Sequence, residues 1–329
     1  MDKLVGDDGS LRYGLYDDPV ENVNFQDYPL QTPMGTKVPK LLKRFMPNQF
    51  HFFGMVGQEV MVGMAVVDLK YLTNGFLYVY DRTTRRLTEA SRISLPSSWT
   101  FIKPTPSRPE SVFSSKKLTI QILHDRIKAY AKGIQVDLAL QAAPSPLRLC
   151  SKAGYRGWVY TQKTAPIEAS GQVRVSERVF EIGSPACMAL MDWTAGYMRR
   201  HTFWNWAATA FTLKDGRPFG LNLSCGVNET SFTENAFWVE GLRTKVDTVH
   251  FDFKPKNLYE PWHIASFDQK VDLDFYPEAH RGESVNALFV KSKFNQLVGT
   301  FSGSLRTDKG EQITLEACPG WAEDHYAKW

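Results

Sequence analysis

Cysteine is scarce in this sequence and never paired at short spacing. The four residues Cys150, Cys187, Cys225 and Cys318 form no C-x-x-C, so buried thiols are expected rather than a zinc site or a disulfide framework. Long apolar runs are missing too. The most continuous one, Val60 to Val67, falls far short of the roughly 20 residues of a membrane-spanning helix; no transmembrane segment is expected, and only transient contact with a membrane surface is left open. Charge of one sign is not concentrated anywhere: 39 basic against 35 acidic residues give +4 with no Lys/Arg block, so no nucleic-acid footprint is visible. Met1 to Ser10 carries three Asp and no apolar stretch, which argues against a secretory leader and for a cytoplasmic location. G-x-G-x-x-G, a Walker loop, H-E-x-x-H and G-x-S-x-G are all absent, and the seven histidines form no H-x-H or i, i+4 pair. Neither an organic cofactor nor a metal is therefore expected. Nothing in the pattern speaks to oligomeric state.

What the 329 residues do contain is apolar and aromatic material, 43% and 13% respectively, enough to build two domains. Residues 1–45 are rich in Pro, Asp, Asn and Gly, with Tyr13, Tyr16, Phe25 and Tyr28 at no regular period; they read as an extended arm tied down by aromatics. From Phe50 the pattern turns to short β-rich runs punctuated by turn residues, with explicit hairpin signals at Lys214-Asp215-Gly216 and Asp308-Lys309-Gly310. An all-β fold of two antiparallel barrel- or sandwich-like domains follows, with few short helices, Pro319 to Trp329 being one candidate. A Pro/Ser-rich stretch, Leu95 to Ser115, reads as a loop or flap. A second, at Ala142 to Leu147, suggests a division into a first β domain (46–145) and a second (146–329).

The densest block of potential chemistry runs from Met191 to Trp206. In a strand Trp204 and Trp206 share one face, because side chains alternate; with Trp193 they make a candidate aromatic wall, flanked by His201 and Asn205. Asp192 follows the apolar run Cys187 to Met191. Apolar surroundings disfavour the charged carboxylate and make such a residue a candidate general acid. A second polar cluster between Gly220 and Gly241 holds Asn222, Asn228, Glu234, Asn235 and Trp238; Glu234 is the candidate partner of Asp192, and alternation aims Asn222 toward a barrel lumen. His325, between Asp324 and Tyr326 in the aromatic tail ending at Trp329, is a candidate acid, base or orienting group. Trp321 and Trp329 argue that this tail docks on the second domain. Each cluster also has a plain structural reading as core, cap or turn residues.

The same residues carry a resemblance. Through Val66-Val67-Asp68-Leu69-Lys70-Tyr71, Phe76-Leu77-Tyr78-Val79-Tyr80-Asp81, Met191 to Trp206, Gly220 to Trp238 and Gly320 to Trp329, the chain is identified as a member of the bacterial family called domain of unknown function 2804. More distantly, Ala189 to Gly196, Trp204-Asn205-Trp206 and Thr212 to Arg217 resemble the pattern of AttH-like proteins and carotenoid hydratases. That likeness implies two lipocalin-like β domains and a hydrophobic small-molecule substrate whose carbon–carbon double bond is protonated by an Asp, here Asp192. The sequence departs from the pattern at Trp193 and at Asn205. The expectation is a cofactor-independent hydratase, lyase or isomerase working in an aromatic-lined barrel pocket. A non-catalytic lipid or isoprenoid carrier is the alternative, and a glycosidase-like Asp192/Glu234 site the weaker one.

Overall fold

A computed structural model describes every residue except 98, 144, 228–231 and 287–289. Strands make up 62% of it and helix 2%, in two curled antiparallel sheets. The first has fourteen strands; its continuous path runs from Arg86–Ser94 through Thr73–Asp81, Val60–Asp68, Asn48–Gly57, Cys187–Tyr197 and Gly157–Val175, then through Ile134–Leu140 to an edge at Phe101–Ile102. The second has nine, ordered Leu242–Lys245, Ala236–Val239, Pro218–Cys225, His201–Thr212, Gln312–Lys328, Lys291–Arg306, Val271–Asn286, Trp262–Ser266 and Val249–Asp252.

Three expectations change. The sheets divide after Tyr197 rather than near residue 145, because the 19-residue strand Gly157–Val175 pairs with Ile134–Leu140 along one half and with Leu147–Ala153 and Cys187–Tyr197 along the other. The candidate helix Pro319 to Trp329 is instead the end of the strand Gln312–Lys328, paired on both sides, with His201–Thr212 and Lys291–Arg306. The stretch Leu95 to Ser115 is not all loop, since Phe101–Ile102 and Glu110–Ser114 pair within it.

Alternation sorts the side chains into three clusters. Phe53, Met55, Trp158, Tyr160 and Trp193 fill the first sheet's own core, and residues of the arm (Val5, Tyr16, Val23, Phe25) pack into it. Phe219, Phe237, Trp262 and Phe275 fill the second. The opposite faces meet in a third cluster, where Phe52, Tyr78, Trp206 and Trp321 lie between the sheets. There the Trp321 indole is fully buried, edge-on to Phe52 with ring centroids 5.9 Å apart. A Cβ on Gly54 would stand 2.7 Å from its Cη2 atom, so only glycine lets the indole seat against that strand.

Candidate functional site

Cross-strand partners project to the same face of a sheet. In the first sheet one such row reads Lys163, Asp192, Phe52, Ala65, Phe76. In the second the facing row reads Ser224, Trp206, Glu323, Gln296, Arg281. At one end of these rows Lys163 Nζ donates to Asp192 Oδ2 at 2.5 Å and lies 3.1 Å from Glu234 Oε2. The three side chains are only 5%, 12% and 3% exposed. Thr194 Oγ1 donates to the other Asp192 oxygen at 2.9 Å, and Ser224 Oγ to the other Glu234 oxygen at 2.9 Å. Glu234 is held just before its strand by Asn222 and Asn235: Asn222 Nδ2 donates to the Glu234 carbonyl (2.7 Å), while Asn235 Oδ1 accepts from the Ser224 amide (2.6 Å).

Two carboxylates against one ammonium leave a surplus negative charge in a buried place. Burial pushes the Asp192 pKa above the ordinary carboxylate value; the neighbouring Lys163 charge opposes that and the Glu234 charge adds to it. Burial works against the Lys163 charge as well, but the two carboxylates outweigh it and hold its pKa above the usual lysine value. The lysine therefore stays an ammonium, and a carboxyl is where the cluster takes up a proton.

Further along the rows Glu323 accepts from Trp204 Nε1 at 2.7 Å and from Gln296 Nε2 at 3.0 Å. Gln296 Oε1 in turn accepts from the Tyr78 hydroxyl at 2.5 Å, across the two sheets. Burial drives the Tyr78 phenol far above its usual range, so it remains a donor. The His325 ring centroid is 4.1 Å from that of Trp204, and its Nε2 meets Ser292 Oγ at 2.9 Å. At the far end the Arg281 guanidinium lies 4.2 Å above the Phe76 ring, donates to Glu283 at 2.8 Å and sits 3.1 Å from Glu89 across the sheets.

Between the rows lies a cavity of about 240 Å³. Phe50, Phe52, Phe76, Trp204, Trp206 and Phe294 give it an apolar wall, with Lys163, Asp192 and Glu234 also on its lining. The pocket is thus between the sheets and not in a barrel lumen, because the faces turned into each curled sheet are already packed with the aromatics of the first and second cores. Asp192, Glu234, His325, Trp204 and Trp206 come together on it. Trp193, one residue from Asp192, points the opposite way and packs on Tyr160 in the first core. Trp238 is buried between the sheets away from the lining, with Nε1 on the Ser145 carbonyl. His201 is exposed and bonded to the Tyr326 hydroxyl; Asn205, on the strand face opposite Trp204 and Trp206, bonds Asp324. Asn222 faces the interface rather than a lumen, accepting from Trp206 Nε1 at 2.9 Å. Asn228 lies outside the described residues.

Sequence reasoning missed Lys163, Gln296 and Arg281. The one available signal was a charged residue at the inward phase of its strand, as with Lys163 opposite Leu147. Among the described residues no group of three or more His, Cys, Asp or Glu is placed to hold a metal ion. Among the described residues, too, no helix is long and apolar enough to cross a membrane.

The sequence profile of the family described as domain of unknown function (DUF2804) matches residues 1–329. No curated protein matches the sequence. Among solved structures, the chain is similar to the AttH-like protein of Nitrosomonas europaea at 10% identity and TM-score 0.49, covering 86% of this chain and 92% of that one. It is also similar to kievitone hydratase of Nectria haematococca at 8% identity and TM-score 0.46, covering 96% and 98%.

Proposed function

We propose that this chain, which belongs to the DUF2804 family, is a cofactor-independent acid–base enzyme that adds water to, removes it from, or isomerises a carbon–carbon double bond of an apolar small molecule. The observation that carries the proposal is the pair of buried carboxylates sharing one ammonium on the wall of an apolar cavity. Asp192, with its raised pKa, is the proton donor. Its proton passes to one carbon of the double bond, and the electron-deficient neighbouring carbon faces the Trp206 and Phe52 rings, whose quadrupoles favour positive charge. Water adds at that carbon and returns a proton to the carboxylate pair, with Glu234 as acceptor; without added water, loss of a proton from an adjacent carbon completes an isomerisation. Lys163 keeps one carboxylate ionised while the other carries the proton, which is how neighbouring acids divide acid and base roles. The resemblance of Ala189 to Gly196 and Trp204-Asn205-Trp206 to the pattern of AttH-like proteins and carotenoid hydratases supports Asp192 as the acid.

The carrier reading shares the cavity but gives the carboxylates no chemistry. The glycosidase reading loses its support, because Lys163 Nζ fills the space between the two carboxylates where a glycosidic oxygen would have to sit. The test starts with mass spectrometry of organic-extractable molecules that copurify with the protein. The extracted compound is returned to wild-type protein in deuterated, heavy-oxygen water. Incorporation of deuterium at carbon by wild type and its loss in Asp192→Asn supports the enzyme; an unchanged compound leaves the carrier.

A further inference from the structure

The short helix Lys40–Lys43 is inside out. It buries Lys43, 8% exposed, whose ammonium donates to the Gln26 and Tyr28 carbonyls at 2.6 and 3.0 Å, while Leu41 and Leu42 stand 67% and 59% in solvent. Phe45 and Met46, just beyond it, are about half exposed as well. Exposed apolar residues scattered singly need no explanation, but four within six positions are a patch. A lysine buried against the arm's carbonyls with leucines in water also reverses the arrangement that folding alone favours.

The patch has a definite place. Met46 is two residues before Asn48, which pairs with Gly196; Gln49 pairs with Asp68, Asp68 with Thr73, and Thr73 with Ser94. The turn Leu69 to Leu72, the strand end at Ser94 and the residues after Tyr197 therefore all lie at the same end of the first sheet as the helix. That end is the cavity mouth, since Asn48, Leu69, Leu72, Ile93 and Met198 are on the cavity lining. Exposed apolar side chains continue along it at Tyr71, Leu95 and Trp99. The exposed charges there are mainly basic: Lys37, Lys40 and Arg44 around the helix, Arg92 beside Ile93, and Arg200 after Met198, with Asp27 beside Lys43 the acidic exception.

We propose that this rim is a docking surface for an anionic lipid bilayer, with Leu41, Leu42 and Phe45 entering the headgroup–acyl boundary, Lys40 and Arg44 on the phosphates, and the cavity mouth facing the membrane. Apolar side chains interleaved with bases fit that partner, because a bilayer surface offers both an apolar phase and negative charge. Continuity with the mouth gives the arrangement its purpose: an apolar ligand passes between bilayer and cavity without crossing water. The purpose rests on the apolar-ligand reading of the cavity, but the docking does not require Asp192 to be an acid.

The test is cosedimentation of the full chain with vesicles of phosphatidylcholine mixed with phosphatidylglycerol, and with vesicles of phosphatidylcholine alone, beside size-exclusion chromatography. Wild type is expected on the mixed vesicles, with binding weakened by salt. Each base near such a surface contributes about fivefold, so Lys40→Ala with Arg44→Ala is expected to lower the affinity about 25-fold. Leu41→Ser, Leu42→Ser and Phe45→Ser together, all at exposed positions and checked for an unchanged melting temperature, are expected to abolish it. Lys214→Ala with Lys309→Ala, which removes two bases at the far end of the second sheet, is expected to bind as wild type. Absence of wild-type binding, equal binding by the serine variant, or a wild-type dimer that the serine variant converts to monomer without any vesicle effect would overturn the proposal, the last by making the patch a contact between copies. Asp192→Asn is expected to bind vesicles as wild type, so failure of the catalytic reading leaves this result standing.

Discussion

Replacing Lys163 by methionine keeps the length of the side chain and removes its charge, which leaves Asp192 and Glu234 facing each other without a counter-ion. Both contacts are short, 2.5 and 3.1 Å, and all three side chains are nearly excluded from water. Removing one partner of a buried ion pair costs about 3–5 kcal/mol, and here two carboxylates lose the same partner, so the upper part of that range applies. For a chain of this size roughly 2 °C is lost per kcal/mol, and a fall of about 8–10 °C at neutral pH is expected by scanning calorimetry. The deficit has a pH signature. Without the ammonium, burial and the Glu234 charge both raise the Asp192 pKa, and nothing of comparable strength opposes them. A carboxyl whose folded pKa lies above its unfolded value favours the folded state below that unfolded value and loses the contribution as pH rises through the folded one. The variant should therefore recover stability relative to wild type as the pH falls from neutral through the raised Asp192 pKa. Adding Asp192→Asn and Glu234→Gln to the lysine change removes the stranded charges and should restore most of the loss, because a neutral well-packed set replaces a buried ion cluster at little cost. A single variant melting within about a degree of wild type, a deficit independent of pH, or a triple variant no better than the single would refute the electrostatic account of the cluster.

Asp192→Asn alone leaves one carboxylate to one ammonium, so its stability is expected within about 1 kcal/mol of wild type while turnover is lost, read by melting temperature and isotope incorporation side by side. Wild-type turnover is expected to decline as the pH rises through the raised Asp192 value, the direction required of a proton donor, and a pH–rate profile checks it. Gly54→Ala puts a Cβ 2.7 Å from Trp321 and is expected to cost about 1–3 kcal/mol by denaturant titration. Deleting residues 320–329 removes half of a strand paired on both sides, so the expected result is insoluble protein in an expression test and not a modest fall in melting temperature.

The all-β class was legible because it is written locally, in alternation and in turns such as Lys214-Asp215-Gly216, where Leu213 and Arg217 do close the hairpin. Asp192 and the shared face of Trp204 and Trp206 were legible for the same reason: both follow from the phase of one strand. Glu234 was legible as a candidate partner, but the lysine that joins the two carboxylates was not. Lys163 is 29 positions away, and Glu234 reaches the same ammonium from the other sheet; which strand pairs with which, and in what register, is fixed by how both sheets close. Trp193 was misplaced by treating a run of aromatics as one wall, although its phase relative to Asp192 already sent it to the opposite core. The division near residue 145 followed the prolines, whereas the Gly157–Val175 strand carries the first sheet past them.

The position of the cavity follows from the same phase argument, applied row by row. The first and second cores each close on their own aromatics, so neither depends on the interface being completely filled. Within the interface the rows differ in bulk. Where Gly54, Gly63 and Ala208 line up, the sheets close directly on Trp321 and Tyr78: a Cβ on Gly63 would fall 2.3 Å from the Tyr78 ring. Two residues further along the strands the small side chains give way to Phe52, Trp206, Lys163 and Glu323, and it is there that the space opens. The acid cluster sits at that step from small to large side chains, with the dry contact behind it and the apolar wall in front. A carboxyl so placed is kept from bulk water on its protein side while its spare lone pairs stay available to the cavity. Changing the small row should therefore move stability, and changing the large row should move ligand binding, so that the two properties separate by a displacement of only two residues along each strand.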